Sequence, residues 1–131
     1  MLEIRYSERD GFEVSGAPAE LEAVRRGITA LARGGGTQVA FEAGHDPSPA
    51  PYEKALKRML VAIGQSPAKV SLAGGDEMRV EGSPESLEAF TSYFDFEPDA
   101  AAGTHSHFEY YEFEGNRWVA PGSVPLVVSV R

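Results

Sequence analysis

The sequence predicts an α+β fold built from a ββαββ unit that occurs twice in tandem. The ten residues VSGAPAELEA, from Val14, return 66 positions later as VEGSPESLEA, from Val80. Apolar and polar residues alternate on both sides of each copy, which is typical of strands. We therefore expect one domain, residues 1–131, made of repeats 1–66 and 67–131. Two helices should cover one face of a mostly antiparallel sheet, with pseudo-two-fold symmetry between the halves.

Each repeat is predicted to begin with a β-hairpin. The segments LEIRY and FEVSG alternate in polarity on either side of the turn formed by residues 8–11. In the second repeat, KVSL and EMRVEG flank the turn AGGD in the same way. Alternating segments separated by a short turn that contains Gly or Asp indicate a hairpin. Ile4 matches Val70 at the same offset of 66, so one interpretation fits both halves.

A helix should follow each hairpin, because Gly-Ala-Pro and Gly-Ser-Pro are each followed by an acidic residue within two positions. Proline suits the first helical position since its missing N–H would be unpaired there, and Ser83 is a candidate N-cap. Apolar residues then recur every three or four positions. The predicted buried faces are Leu21, Val24, Ile28 and Leu31 in the first helix, and Leu87, Phe90 and Phe94 in the second. Glycines 34–36 should end the first helix, and the second should fray over 95–102.

Two further strands complete each unit. The segment GTQVAFEA matches GTHSHFEY at an offset of 67, one more than the hairpins show. LVAI from Leu60 matches LVVS from Leu126 at an offset of 66 again. We therefore expect the second repeat to have one residue more before its third strand and one residue fewer after it. In the segment YEKALKRMLVAIG, Leu56, Met59, Leu60 and Ile63 fit a helix face, but the copy VPLVVSV is rich in β-branched residues. We therefore predict a strand at 58–64, preceded by a short helical turn within 52–57.

Composition limits the classes of function. The chain has 131 residues, no cysteine and a net charge of −8, from 20 acidic and 12 basic residues. Without cysteine, disulfides, thiolate metal sites and cysteine nucleophiles are excluded. The negative charge disfavours nucleic-acid binding, since phosphate contacts need clustered lysine and arginine, and it favours a basic partner. There is neither an apolar run long enough for a membrane span nor a basic and apolar leader, so we expect a cytoplasmic protein.

The third strand of the second repeat carries a row of polar side chains. Phe41 and Phe108 occupy matching positions and should face the core. The opposite face then presents, two residues apart, His105, His107, Glu109 and Tyr111. His105, His107 and Glu109 have the chemistry of a metal site, and His45 is a further candidate ligand. A metal-binding protein or metal-dependent enzyme is therefore the alternative hypothesis.

An aromatic and acidic segment, FEYYEFEGNRW, continues from this strand. Aromatic rings provide rigid contact area and carboxylates pair with lysine or arginine, so the segment suits recognition of a basic protein. We see no serine nucleophile elbow, phosphate-binding loop or marked pair of carboxylates, and we therefore expect neither an enzyme nor a cofactor. The predicted partner-binding residues are His105, His107, Glu109, Tyr111, Glu112, Glu114 and Trp118. A third hypothesis is a homodimer that forms through an unpaired sheet face or edge.

The C-terminal stretch THSHFEYYEFEGNRWVAPGSVPLVVSV resembles the end of a family of immunity proteins from bacterial polymorphic toxin systems. The similar features are a His-x-His strand that runs into Glu109, Tyr110 and Tyr111, a Pro-x-Ser-x-Pro-Leu segment and an apolar last strand. That segment consists here of Pro121, Ser123, Pro125 and Leu126. The resemblance implies a cytoplasmic bacterial protein that binds and neutralises a cognate toxin, often a nuclease. Here Phe113 and Glu114 extend the strand beyond the family's pattern.

Overall fold

The computed structural model describes residues 1–111 and 116–131, which form an α+β fold, as predicted. The helices of this part of the chain are α1, Pro18–Ala32, and α2, Pro84–Phe90, which a 3₁₀ turn at Thr91–Phe94 extends. The strands are β1 Glu3–Ser7, β2 Gly11–Gly16, β3 Gln38–Glu42, β4 Lys54–Leu56, β5 Arg58–Ile63, β6 Lys69–Ala73, β7 Glu77–Gly82, β8 His105–Phe108 and β9 Leu126–Val130.

These strands form two sheets, so the prediction of a single sheet is wrong. The first sheet has the order β4-β1-β2-β9-β8 and the second has the order β3-β5-β7-β6. The predicted hairpins β1–β2 and β6–β7 are confirmed as antiparallel pairs. The pairs β2–β9 and β5–β7 are parallel, and the remaining pairs are antiparallel, so each sheet is mostly antiparallel.

Each sheet joins the hairpin of one half of the sequence to the last strands of the other half. In the parallel pairs, Phe12 lies opposite Leu126 and Met78 lies opposite Met59. Phe12 and Met78 match at an offset of 66, so their strand partners, Leu126 and Met59, occupy equivalent positions in the two sheets. These partners are 67 residues apart, which is the offset of the third strands. The prediction that the offset returns to 66 at Leu60 is therefore wrong. The duplication, with its boundary at residue 66, stays a prediction.

The helices start where the sequence predicts. The backbone N–H of Ala17 donates to Glu20 Oε1 at 2.8 Å before α1, and Pro18 is its first residue. The N-cap of α2 is Ser83, whose Oγ accepts from the backbone N–H of Ser86 at 3.2 Å. The predicted apolar faces of both helices are buried, and α1 ends at Ala32, before the glycines. No helix continues over 95–102, where the second was expected to fray.

The helices pack against each other and against both sheets, which differs from the predicted arrangement on one sheet face. Helix α1 contacts β2 of the first sheet and β3 and β5 of the second, while α2 contacts β7. The buried side chains of both sheets and both helices form one hydrophobic cluster. The helices therefore fill the space that the inner faces of the two sheets leave open.

The segment before β5 differs from its prediction. Lys54–Leu56 is the strand β4, which pairs with β1 and places Leu56 opposite Ile4, so the helical turn predicted within 52–57 is wrong. The strand predicted at 58–64 is confirmed as Arg58–Ile63. Neither helix in the described ranges is both long enough and apolar enough to cross a bilayer.

Candidate functional site

The two histidines of β8 lie side by side on its solvent face. Both side chains are exposed, and their ring centroids are 4.9 Å apart with the planes nearly perpendicular, at 83°. His105 Nδ1 lies 2.9 Å from the carbonyl oxygen of Gly103. Because a carbonyl only accepts, Nδ1 carries the proton and, in the neutral ring, Nε2 is left as an acceptor. The strand thus presents two imidazoles to solvent, as its alternation predicts.

The opposite face of β8 fixes the strand to the core. Phe108 is buried, and its ring meets those of Phe90 and Tyr93 edge-on, at centroid distances of 4.9 and 5.1 Å. Ser106 Oγ donates to the carbonyl oxygen of Tyr93 at 2.6 Å. These contacts confirm that Phe108 faces the core, and its counterpart Phe41 is half-buried against the same cluster. The histidines are therefore held on a rigid support.

Two exposed tyrosines follow the strand. Tyr110 is 38% exposed and Tyr111 is 47% exposed. Among the described residues, the one other large hydrophobic side chain that is exposed to solvent is that of Met1. Tyr111 exchanges hydrogen bonds with Asn116, whose Oδ1 accepts from the Tyr111 N–H at 2.9 Å and whose Nδ2 donates to the Tyr111 carbonyl. We name the group of residues His105, His107, Glu109, Tyr110 and Tyr111 the β8 surface.

The remaining predicted site residues are Glu112, Glu114 and Trp118. Glu112 and Glu114 fall outside the described residues. Trp118 is half-buried, and the Arg117 guanidinium lies over its ring at 4.5 Å from the centroid. The carbonyl oxygen of Trp118 accepts from the N–H of Ala68 at 2.9 Å, just before β6. Trp118 therefore belongs to the segment along the edge of the second sheet, whereas the β8 surface lies on the first.

A metal site is the alternative that the sequence raised for the histidines. Within residues 1–111 and 116–131, no three side chains of His, Cys, Asp or Glu are grouped so that they could hold a metal ion. His45 is exposed in the loop after β3, and Glu109 is half-buried beyond the end of β8. The strand therefore brings His105 and His107 together, but the described residues place no third metal ligand beside them.

The loop between β3 and β4 lies against the outer face of the first sheet. Arg5 Nε donates to Glu13 Oε1 at 3.0 Å, and its Nη1 donates to the carbonyl of Ala50 at 3.3 Å. The guanidinium also lies 5.0 Å from the centre of the Tyr52 ring. Burial raises the pKa of the Tyr52 hydroxyl, and the nearby Glu13 carboxylate raises it further. One guanidinium thus connects this loop to both strands of the first hairpin.

A cavity of about 530 Å³ opens between this loop and the β8 surface. Pro125 and Val127 contribute apolar side chains, while polar groups come from three separate parts of the chain. The polar side chains that line it are Arg9, Asp10, Tyr52, His107 and Glu109. The β8 surface is therefore continuous with a concave site that combines apolar side chains with two carboxylates and one guanidinium.

Sequence reasoning missed Asp10 and Tyr52 as parts of this site. Both are distant from Glu109 along the chain, and the arrangement depends on β9 lying between β2 and β8. The sequence offers one relevant signal, because Tyr52 directly follows the proline-rich run PSPAP, where a large aromatic ring is an unusual choice for a solvated loop.

No protein-family model, curated protein sequence or solved structure matches the chain significantly.

Proposed function

We propose that the protein is a non-enzymatic binding protein that inhibits a basic protein, a cognate toxin, through the β8 surface. The observation that carries this proposal is the pair of exposed tyrosines beside two exposed imidazoles. Large aromatic side chains are costly to leave in water, and they are enriched at the centres of protein interfaces. Their concentration next to an edge strand supports a protein partner.

Charge supports a basic partner. The net charge of −8 attracts cationic proteins from a distance and accelerates their association. Glu109 directly precedes the two tyrosines in the chain, and it lines a cavity together with Asp10. A toxin that acts on nucleic acid needs a positively charged cleft, and an acidic protein that occupies the cleft would block its substrate. The resemblance of the His-x-His strand and the Pro-x-Ser-x-Pro-Leu segment to immunity proteins supports the same proposal.

The test is binding between the purified protein and the purified product of the gene adjacent to its own, measured by isothermal titration calorimetry. We expect a one-to-one complex whose affinity falls about tenfold when NaCl is raised from about 50 to about 300 mM, because salt screens charge attraction. Tyr110→Ala with Tyr111→Ala should raise Kd at least tenfold, which corresponds to about 1.4 kcal/mol.

A matched control comes from β3, which corresponds to β8 at an offset of 67. Gln38 and Glu42 are exposed there, at the positions of His105 and Glu109. Gln38→Ala with Glu42→Ala should leave Kd unchanged. Absence of binding, or an equal loss in the β3 control, would rule out the proposed surface.

A further inference from the structure

We propose that the cavity beside the β8 surface is an anchor site for a partner's arginine side chain. The inference rests on the proposed function and extends it to one chemical group. The cavity volume of about 530 Å³ lies within the usual range of ligand sites, and the space is larger than one side chain requires. Anchor residues that fill such pockets account for much of the affinity of protein interfaces.

The walls match the two parts of an arginine. Pro125, which is exposed, and Val127, which lies opposite His107 on the outer face, provide apolar surface against which the methylene stem packs. Asp10 and Glu109 provide carboxylates for the guanidinium, which binds carboxylate in a planar, two-pronged geometry. One oxygen of Asp10 accepts from Ser7 Oγ at 3.1 Å, which orients the carboxylate and leaves its other oxygen for a ligand. Apolar wall and acceptors therefore lie in one cavity.

The protein already holds one guanidinium in this neighbourhood. Arg5 is bound by the Glu13 carboxylate, by the carbonyl of Ala50 and by the face of Tyr52, and Tyr52 also lines the cavity. Carboxylate, carbonyl and aromatic ring are the groups that recognise guanidinium in preference to ammonium. The Arg5 site shows how the same kinds of group hold an arginine a short distance away.

Arg9 also lines the cavity, and its charge opposes a cationic ligand. Its side chain is exposed, and it belongs to the turn between β1 and β2. Removing this charge should therefore strengthen arginine binding, whereas removing the charges of Asp10 and Glu109 should weaken it. Two changes of opposite sign at one cavity separate specific binding from a general loss of structure.

The experiment is a titration of the ¹⁵N-labelled protein with N-acetyl-arginine amide, followed by the backbone amide shifts of Phe108 and Val127. We expect saturable shifts with a Kd in the millimolar range, and none with N-acetyl-citrulline amide, which has the same shape without the charge. Asp10→Asn with Glu109→Gln should raise Kd at least fivefold, and Arg9→Gln should lower it about twofold. Glu42→Gln, at the position in β3 that matches Glu109, should leave Kd unchanged.

The proposal is overturned if arginine and citrulline amides bind alike, if the double variant binds as the parent does, or if N-acetyl-lysine amide binds as tightly as the arginine amide. The small probe also separates this proposal from the proposed function. Binding of the arginine amide without binding of the adjacent gene product would refute the toxin partner alone. A partner that binds the Asp10→Asn, Glu109→Gln variant with undiminished affinity would refute the anchor alone.

Discussion

Phe41 and Phe108 occupy matching strand positions, but their rings have different neighbours. Phe108 lies against Tyr93, whereas Phe41 lies against Gly27 of α1, where even a Cβ atom would be 2.8 Å from its ring. Gly27 and Tyr93 themselves match at the offset of 66. A glycine thus lets the helix approach β3 closely, while the aromatic residue in the second half fills the equivalent space and buries Phe108 more deeply.

This difference predicts unequal costs for truncating the two rings. Phe108→Ala should lower the free energy of unfolding by about 3–5 kcal/mol, because it leaves a cavity beside Phe90 and Tyr93. Phe41→Ala should cost about 1–2 kcal/mol, since its ring is only half-buried. Urea denaturation followed by tryptophan fluorescence measures both. Equal costs would contradict the packing difference described for the two positions.

At the scale of elements, the first hairpin is held to β9 through its turn. The N–H of Phe12 donates to the carbonyl of Pro125 at 2.9 Å, at the start of the parallel pairing between β2 and β9. Gly11 has a φ of 81°, and a Cβ there would lie 2.3 Å from that carbonyl oxygen. The close approach of the two strands therefore requires glycine at this position for two separate reasons, backbone conformation and space.

Gly11→Ala should accordingly be much more damaging than Gly74→Ala in the second hairpin. Gly74 also has positive φ, 60°, but a Cβ there would meet nothing within 4 Å. We expect Gly74→Ala to cost about 1 kcal/mol from backbone strain alone. Gly11→Ala should cost about 3 kcal/mol or more, because the strands must also separate. Thermal unfolding by circular dichroism compares them, and similar midpoints would contradict the steric argument.

Local pattern predicted most elements but not their partners. Alternation identified the hairpins and β8, and the three-to-four spacing identified the buried face of α1. Strand β4 was not predicted, because a segment of three residues is too short to show the alternation of apolar and polar residues. Its pairing with β1 depends on the tertiary structure. The same holds for the candidate site. Alternation along β8 predicted that His105 and His107 face solvent, whereas Asp10 and Tyr52 are brought to the cavity only by long-range strand pairing.

At the scale of the whole molecule, the two halves of the sequence are structurally interdependent. Both parallel pairs, β2 with β9 and β5 with β7, join strands from different halves. Each half alone would therefore expose the inner edge of a strand and part of the common core. Within the described chain, the folded state therefore depends on contacts between the two halves, and neither half provides a complete core by itself.

We therefore predict that fragments 1–66 and 67–131, expressed separately, lack a folded monomeric state, and that they regain strand and helix structure when mixed in equal amounts. Circular dichroism and size-exclusion chromatography with light scattering provide the measurement. A mixture of fragment 67–131 with the Met59→Asp variant of fragment 1–66 serves as a control for non-specific association, because Met59 is fully buried and lies opposite Met78 of the other half. A folded monomer of either fragment would contradict the interdependence.

The position of β9 also governs how the protein forms during synthesis. Leu126–Val130 is synthesised long after the first hairpin, yet it lies inside the first sheet, between β2 and β8. One edge of the hairpin therefore has no strand partner until β9 has been synthesised. We expect nascent chains stalled before Leu126 to be readily cut by protease, and the emergence of β9 to complete the sheet in a single late step.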